Sequence, residues 1–297
     1  MAAITEASAP LVVPPLAKSP GYWAGVFKRF RKDKVAVCAG LVVLAIILMA
    51  VFADYIAPAD PTRSSMLRRL RPIGTPGYPL GADELGRDML SRLIFGARLS
   101  LFMGVVPVFI AFMVGSVIGV AAGFFGGKFN TITMRTVDVF YAFPSVLLAI
   151  ALSGAMGAGI ANSLLSLTIV FIPPIARIAE SVTTQVRGMD YVEAARASGA
   201  NALTIIRVHV LGNVLGPIFV YATSLISVSM ILASGLSFLG LGTKPPTPEW
   251  GLMLNTLRTA IYVQPWVAAL PGAAIFITSI SFNLLSDGLR SAMDVKG

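Results

Sequence analysis

Residues 35–57 read VAVCAGLVVLAIILMAVFADYIA, an apolar run as long as the about 20 residues an α-helix needs to cross the hydrocarbon core of a bilayer. Five more runs of that kind follow, at 99–123, 137–157, 163–183, 217–240 and 266–286. Six spans predict an all-α membrane protein of six transmembrane helices with both termini on one side. The composition agrees, because 56% of the chain is hydrophobic and 12% charged, against about 25% charged in a soluble domain. Pro107, Pro144, Pro173, Pro174 and Pro271 lie within the runs. Each removes a backbone donor and favours a kink, so the freed carbonyls need neighbouring helices, as in a polytopic bundle. Gly115 and Gly119, four residues apart, allow two helices to approach closely. Tyr22, Trp23, Tyr262 and Trp266 sit near span ends, where interfacial aromatics belong.

The formal charge of +9 raises the question of nucleic acid. The basic residues flank apolar runs and cover no polar face with interleaved aromatics, so membrane orientation explains them better. Residues 1–34 end in Lys28, Arg29, Arg31, Lys32 and Lys34. They read as a cytoplasmic tail, poorly ordered over its first 30 residues. Ala57-Pro58-Ala59 has the form of a signal-peptidase site, but the preceding run exceeds the about 7–15 residues of a signal sequence. With the N-terminus inside, about fourteen Lys and Arg fall in the cytoplasm and nine outside, in the sense of the positive-inside rule. The external segment 58–98 runs against that rule with Arg63, Arg68, Arg69, Arg71, Arg87, Arg92 and Arg98, which Asp60, Asp83, Glu84 and Asp88 pair only in part.

Reactive side chains are scarce. One histidine and one cysteine, Cys38, leave no disulfide and no cysteine metal site. No hydrolytic motif is present. Gly127-Lys128 ends like a phosphate loop, but Ala122 replaces its first glycine and Phe129 its magnesium-binding hydroxyl. Asp138, Glu180 and Asp287 fall near the cytoplasmic ends of spans and none at a midplane, which disfavours a proton- or sodium-coupled carrier. Energy is then expected from another polypeptide.

The longest internal connection, 184–216, carries Asp190-Tyr191-Val192-Glu193-Ala194-Ala195-Arg196-Ala197-Ser198-Gly199-Ala200-Asn201. Asp190 and Glu193 have capping-box spacing, which predicts a helix start. Gly199 suits the left-handed position after a helix end. Asn201 can cap a second helix running through His209 to Leu211. A short helix, a glycine turn and another helix make a rigid cytoplasmic knob.

Glu193-Ala194-Ala195, three residues, Gly199, then His209-Val210-Leu211-Gly212-Asn213 resemble the EAA loop of ABC importer permeases, with Gly212 where that family commonly has proline. Leu80 to Leu101 resembles the segment before the second span of the C-type permease of dipeptide, oligopeptide and nickel importers. Pro245 to Gly251 and Phe282 to Arg290 resemble its fifth external loop and C-terminal end. The resemblance covers about 30–297. It implies a type I ABC importer permease fold, with the permease domain at 98–287 and a cytoplasmic tail at 288–297.

It further implies a second, B-type permease, two ATPase subunits that use ATP and magnesium, and an external substrate-binding protein, with no cofactor held by this chain. Asp190, Tyr191, Glu193, Ala194, Ala195, Arg196, Gly199 and His209 would then dock into the ATPase. Asp83, Arg87, Asp88, Pro245, Pro246, Glu249 and Trp250 are candidates for binding-protein contact. For the first of these stretches the alternative is an interfacial amphipathic helix that the charges cap and solvate, with Leu85, Leu90, Leu93 and Ile94 inward. Peptides are the expected cargo, with nickel chelates and glycan-derived solutes as alternatives. An autonomous channel or carrier, or a membrane scaffold, are the rival classes. The first two would need a complete pathway and intramembrane coupling groups.

Overall fold

The computed structural model describes residues 22–293. The expected tail thus lies mostly outside the described residues, as do the side chains of Tyr22 and Trp23. Its last part is ordered: α1 (Tyr22–Phe30) is a helix whose Arg29 donates to Ala292 O at 2.7 Å, tying it to the C-terminal helix. Asp33 caps α2 (Lys34–Val51) by accepting from the Val35 and Ala36 N–H groups. A short α3 (Ala53–Ile56) extends it.

Residues 57–88 form a connecting segment with one short 3₁₀ turn at Met66–Arg68. The second apolar run is the inner part of α4 (Met89–Phe125), 37 residues long. At about 1.5 Å per residue it exceeds the about 30 Å hydrocarbon core, so part of it extends beyond that core. Gly115, Gly119 and Gly123 line the side of α4 against α7 (Ile160–Arg187). A Cβ on Gly119 would lie 2.5 Å from Ala179 Cβ and 2.8 Å from Glu180 N, so no larger residue fits between these backbones. This close seam is the framework of the bundle.

The third expected span, 137–157, is not one helix. The chain makes α5 (Gly127–Tyr141) and α6 (Ser145–Met156), bent by 84° at Ala142–Pro144. Pro144 supplies no N–H and restricts Phe143, so the helix ends there. The 12 residues of α6 reach about 18 Å, less than a hydrocarbon core. Asp138 pairs with Arg177, and Asn130 donates to Glu180 at 2.6 Å, holding α5 to α7.

Pro173 and Pro174 sit inside α7 without interrupting it. α8 (Asp190–Ala197), α9 (Ala202–Ile205), a π turn (Ile206–Val210) and α10 (Leu211–Phe238) follow, the last three making one run of 37 residues. After α11 (Trp250–Thr256) the chain closes with α12 (Pro265–Met293). α12 continues past 287, so most of the expected C-terminal tail is helical. Among the described residues five helices are long and apolar enough to cross a membrane, or six if the bent pair counts as one.

Candidate functional site

The knob begins at Asp190, but not by a capping box. Met189 is the N-cap, Asp190 is the first helical residue, and no side chain caps the free amides. Asp190 and Glu193 still lie in the first turn, where the helix dipole favours negative charge. The other end matches its expectation closely. Gly199 has φ +81°, its N–H donates to Arg196 O at 3.0 Å, and Ala200 N–H donates to Ala195 O at 3.1 Å. This is the Schellman pattern, which needs a residue at ease in the left-handed region. Asn201 accepts from Thr204 N–H at 2.8 Å and starts α9, as expected.

Val192, Ile205 and Val210 are fully or almost fully buried and seat the knob on the bundle core. Tyr191 leans on the second arm: its ring centroid is 6.3 Å from that of His209, and Asn213 donates to its hydroxyl at 3.2 Å. Asp190, Glu193, Ala194 and Ala197 are exposed at i, i+3, i+4 and i+7, on one stripe of α8. Arg196 and Gly199 are also exposed, while Ala195 and His209 are half-buried. The stripe therefore presents two carboxylates beside two methyl groups, a low face that another protein can approach closely. The π turn was not foreseen in the sequence.

The candidates for binding-protein contact sit differently. Asp83, Arg87, Asp88, Glu249 and Trp250 are all buried against their own chain, so their side chains are unavailable for direct contact with another protein. Asp83 Oδ1 accepts from the Leu85 and Arg87 N–H groups at 2.9 Å, and its Oδ2 accepts from Arg87 Nε at 2.6 Å. Arg92 Nε lies 3.3 Å from the same Oδ2 as an ion pair without hydrogen-bond geometry. The Arg92 guanidinium donates to Pro61 O at 3.0 Å and Pro246 O at 3.3 Å, stapling two connecting stretches to α4. Asp88 caps α4 through Ser91 N–H.

Glu249 accepts from the Gly251 and Leu252 N–H groups at 2.8 Å and from Ser100 Oγ at 3.1 Å, capping α11. Burial pushes its carboxyl above the usual carboxylate range, against the pull of those donors. Trp250 Nε1 donates to Leu93 O at 3.0 Å. The segment before α4 and the loop before α11 are thus one packed plug. The amphipathic helix expected over this segment begins only at Met89, and Leu85 is exposed outside it. Lys244, Pro245, Pro246 and Thr247 remain on its surface.

The arginines of residues 58–98 now divide by role. Arg87 and Arg92 belong to the buried plug. Arg98 donates to Ala50 O at 2.6 Å and Val51 O at 3.0 Å, where α2 ends, and pairs with Asp54 at 2.8 Å. Arg63, Arg68, Arg69 and Arg71 are exposed. Among the described residues no cluster of three or more His, Cys, Asp or Glu could hold a metal ion.

A bundle of long apolar helices that carries a seated helical knob on one face and a packed plug on the other defines a multi-pass membrane protein. Residues 115–296 match the family described as binding-protein-dependent transport system inner membrane component, and residues 21–72 match the N-terminal TM domain of oligopeptide transport permease C. The chain belongs to this family and is a permease subunit of an ABC importer. It is 43% identical to the glutathione transport system permease protein GsiD of Pectobacterium atrosepticum over 92% of this chain and 91% of the relative. To GsiD of Escherichia coli O1:K1 it is 42% identical, over 97% and 94%. Among solved structures it is similar to a chain of the MetNI methionine ABC transporter in an inward facing conformation, with a TM-score of 0.57 and 20% identity over 69% of this chain and 97% of that one. That likeness shows the type I importer fold.

Proposed function

We propose that this chain forms one half of the pathway of a peptide importer of the bacterial inner membrane, paired with a B-type permease, two cytoplasmic ATPase subunits and an external binding protein. The observation that carries this is the α8 stripe. A small-residue face flanked by Asp190 and Glu193, rigidly seated through Val192, is suited to transmitting motion from an ATPase to the bundle. Closure of the ATPases on ATP pushes on α8, and the stiff run from Ala202 to Phe238 carries the movement across the membrane. The solute is unchanged chemically. A small peptide is the favoured cargo, supported by the names of relatives 42–43% identical over nearly the whole chain. Binding-protein contact falls to the exposed Pro245-Pro246-Thr247 tip, which the buried plug beneath holds in place.

Purification from native membranes in mild detergent, with mass spectrometry of what accompanies the chain, tests the assembly. A second permease and ATPase chains are expected, and recovery of this chain alone, while other membrane complexes survive, would refute it. Both termini are placed in the cytoplasm on this reading. A reporter inserted after residue 75 is then expected outside, and a cytoplasmic signal would overturn the orientation.

A further inference from the structure

A groove of about 630 Å³ runs along the crossing of α10 and α12, within the about 300–1,000 Å³ of small-molecule sites. On α10 it follows Ser227, Ile231, Ser234 and Phe238, and on α12 Gly272, Phe276, Ser279 and Asn283, with Leu254 of α11 at the outer end. Twelve residues on each helix, eleven rises of about 1.5 Å, give it a length of about 16 Å. The two helices are antiparallel, so Ser227 and Asn283 lie at its inner end. There Thr223 Oγ1 and Ser286 Oγ are 3.0 Å apart. Beyond that contact a second hollow, of about 400 Å³, opens towards the cytoplasmic end, with Tyr221, Ser224, Asp287 and Arg290 on its wall. The stripe 217, 221, 224, 227, 231, 234, 238 of α10 lines both hollows in turn.

Lipid is a poor occupant for this face. Asn283 is exposed on it, and a primary amide cannot satisfy itself against hydrocarbon. Ser279 lines the groove, is 5% exposed, and its Oγ has no hydrogen-bond partner. α2 packs elsewhere on α12, with Gly40 beside Leu285 and Ala36 beside Gly288, and leaves the groove open. No charged residue lines the outer hollow, whereas the inner one carries both signs.

We propose that the outer groove is this subunit's wall of the solute pathway, where exposed Asn283 hydrogen-bonds the uncharged amide backbone of a small peptide, and that the Thr223–Ser286 contact closes it from the inner hollow. The proposal rests on the importer reading and adds the site. A side-chain amide offers the paired donor and acceptor that a peptide group needs. The inner hollow, with Asp287 and Arg290, suits the two charged ends of a zwitterion on its way out.

The test uses the complete importer in proteoliposomes, with the only cysteine removed by Cys38→Ser. Ser234→Cys, Ile231→Cys and Asn283→Cys are introduced singly, and Val117→Cys on the exposed side of α4 is the control. A charged, membrane-impermeant thiol reagent is expected to modify the three groove cysteines and not the control, and trialanine delivered by the binding protein is expected to slow the reaction at least about threefold. Asn283→Leu should lower trialanine uptake by about tenfold, a loss typical of an unpaired peptide group, and Asn283→Gln should restore most of it. Groove cysteines as inert as the control, or reactive but indifferent to trialanine, would overturn the proposal while ATP-driven uptake by the parent assembly left the importer reading intact. No ATP-driven uptake by the parent would remove both. Ile231→Cys, an exposed apolar position, keeps the test decisive if a polar variant fails to assemble.

Discussion

Replacing Glu193 by arginine, or Ala194 by tryptophan, is expected to abolish most solute uptake while the chain still inserts and accumulates in the membrane. Both side chains are exposed on a stripe of α8 that nothing among the described residues covers, so neither change disturbs the fold. Arginine reverses a charge on the proposed docking face, and tryptophan raises a bulk where a methyl group would let the partner approach. Loss of one such central contact costs about 2 kcal/mol or more, close to thirtyfold in docking. Gly199→Val attacks the same function through the backbone. At φ +81° a β-branched residue costs about 1–2 kcal/mol and disturbs the turn between the two arms of the knob. Uptake in membrane vesicles, set against chain abundance, reads both effects. Uptake at the parental rate by Glu193→Arg and Ala194→Trp would show that α8 is not where the ATPase engages.

Asp83→Ala is expected to be among the most destabilising single changes in the plug. The carboxylate faces two guanidinium groups, Arg87 and Arg92, and all three side chains are at most 5% exposed. Its removal leaves two buried cations with one fewer counter-charge and frees the Leu85 and Arg87 amides. Breaking a buried pair in this way costs about 3–5 kcal/mol. The plug would loosen and with it Pro246, which Arg92 holds by its carbonyl. Asp60→Ala is the matched control, because Asp60 is exposed and bonds only Thr62 within its own turn. The thermal midpoint of the purified assembly and the abundance of the chain in membranes should both fall for Asp83→Ala and stay near parental values for Asp60→Ala. Equal stability of the two variants would contradict the account of the plug.

Much of the fold was legible because apolar length is a direct physical signal. The runs at 35–57, 163–183 and 266–286 each sit inside one observed helix or its short extension, and Gly199 took the left-handed turn that glycine tolerates best. The break at Ala142–Pro144 was less so. Pro144 marked a kink, but Pro173 and Pro174 lie unbroken within α7, so proline alone does not say whether a helix bends or ends. The plug was misread for a different reason. Asp83, Arg87, Asp88 and Arg92 precede or open a helix and look like the solvated charges of an interface. Their equal numbers of opposite sign, four or five residues apart, were the only hint that they neutralise one another in a buried site. That Trp250 and Glu249 close the same site from a point about 150 residues away is a tertiary fact with no local signature. At the knob, Asp190 and Glu193 had the spacing of a capping box, yet the chain enters α8 through Met189 and turns both carboxylates outward, where they are free to meet a partner.

The most direct test of the central claim is uptake by proteoliposomes that contain this chain, its partner permease and the ATPase subunits, with the binding protein and a labelled small peptide outside and ATP inside. The account predicts accumulation that requires both ATP and the binding protein and disappears with Glu193→Arg. Equal flux without ATP would identify a channel or carrier in place of an importer subunit, and no flux of any peptide with every component present would leave a membrane scaffold.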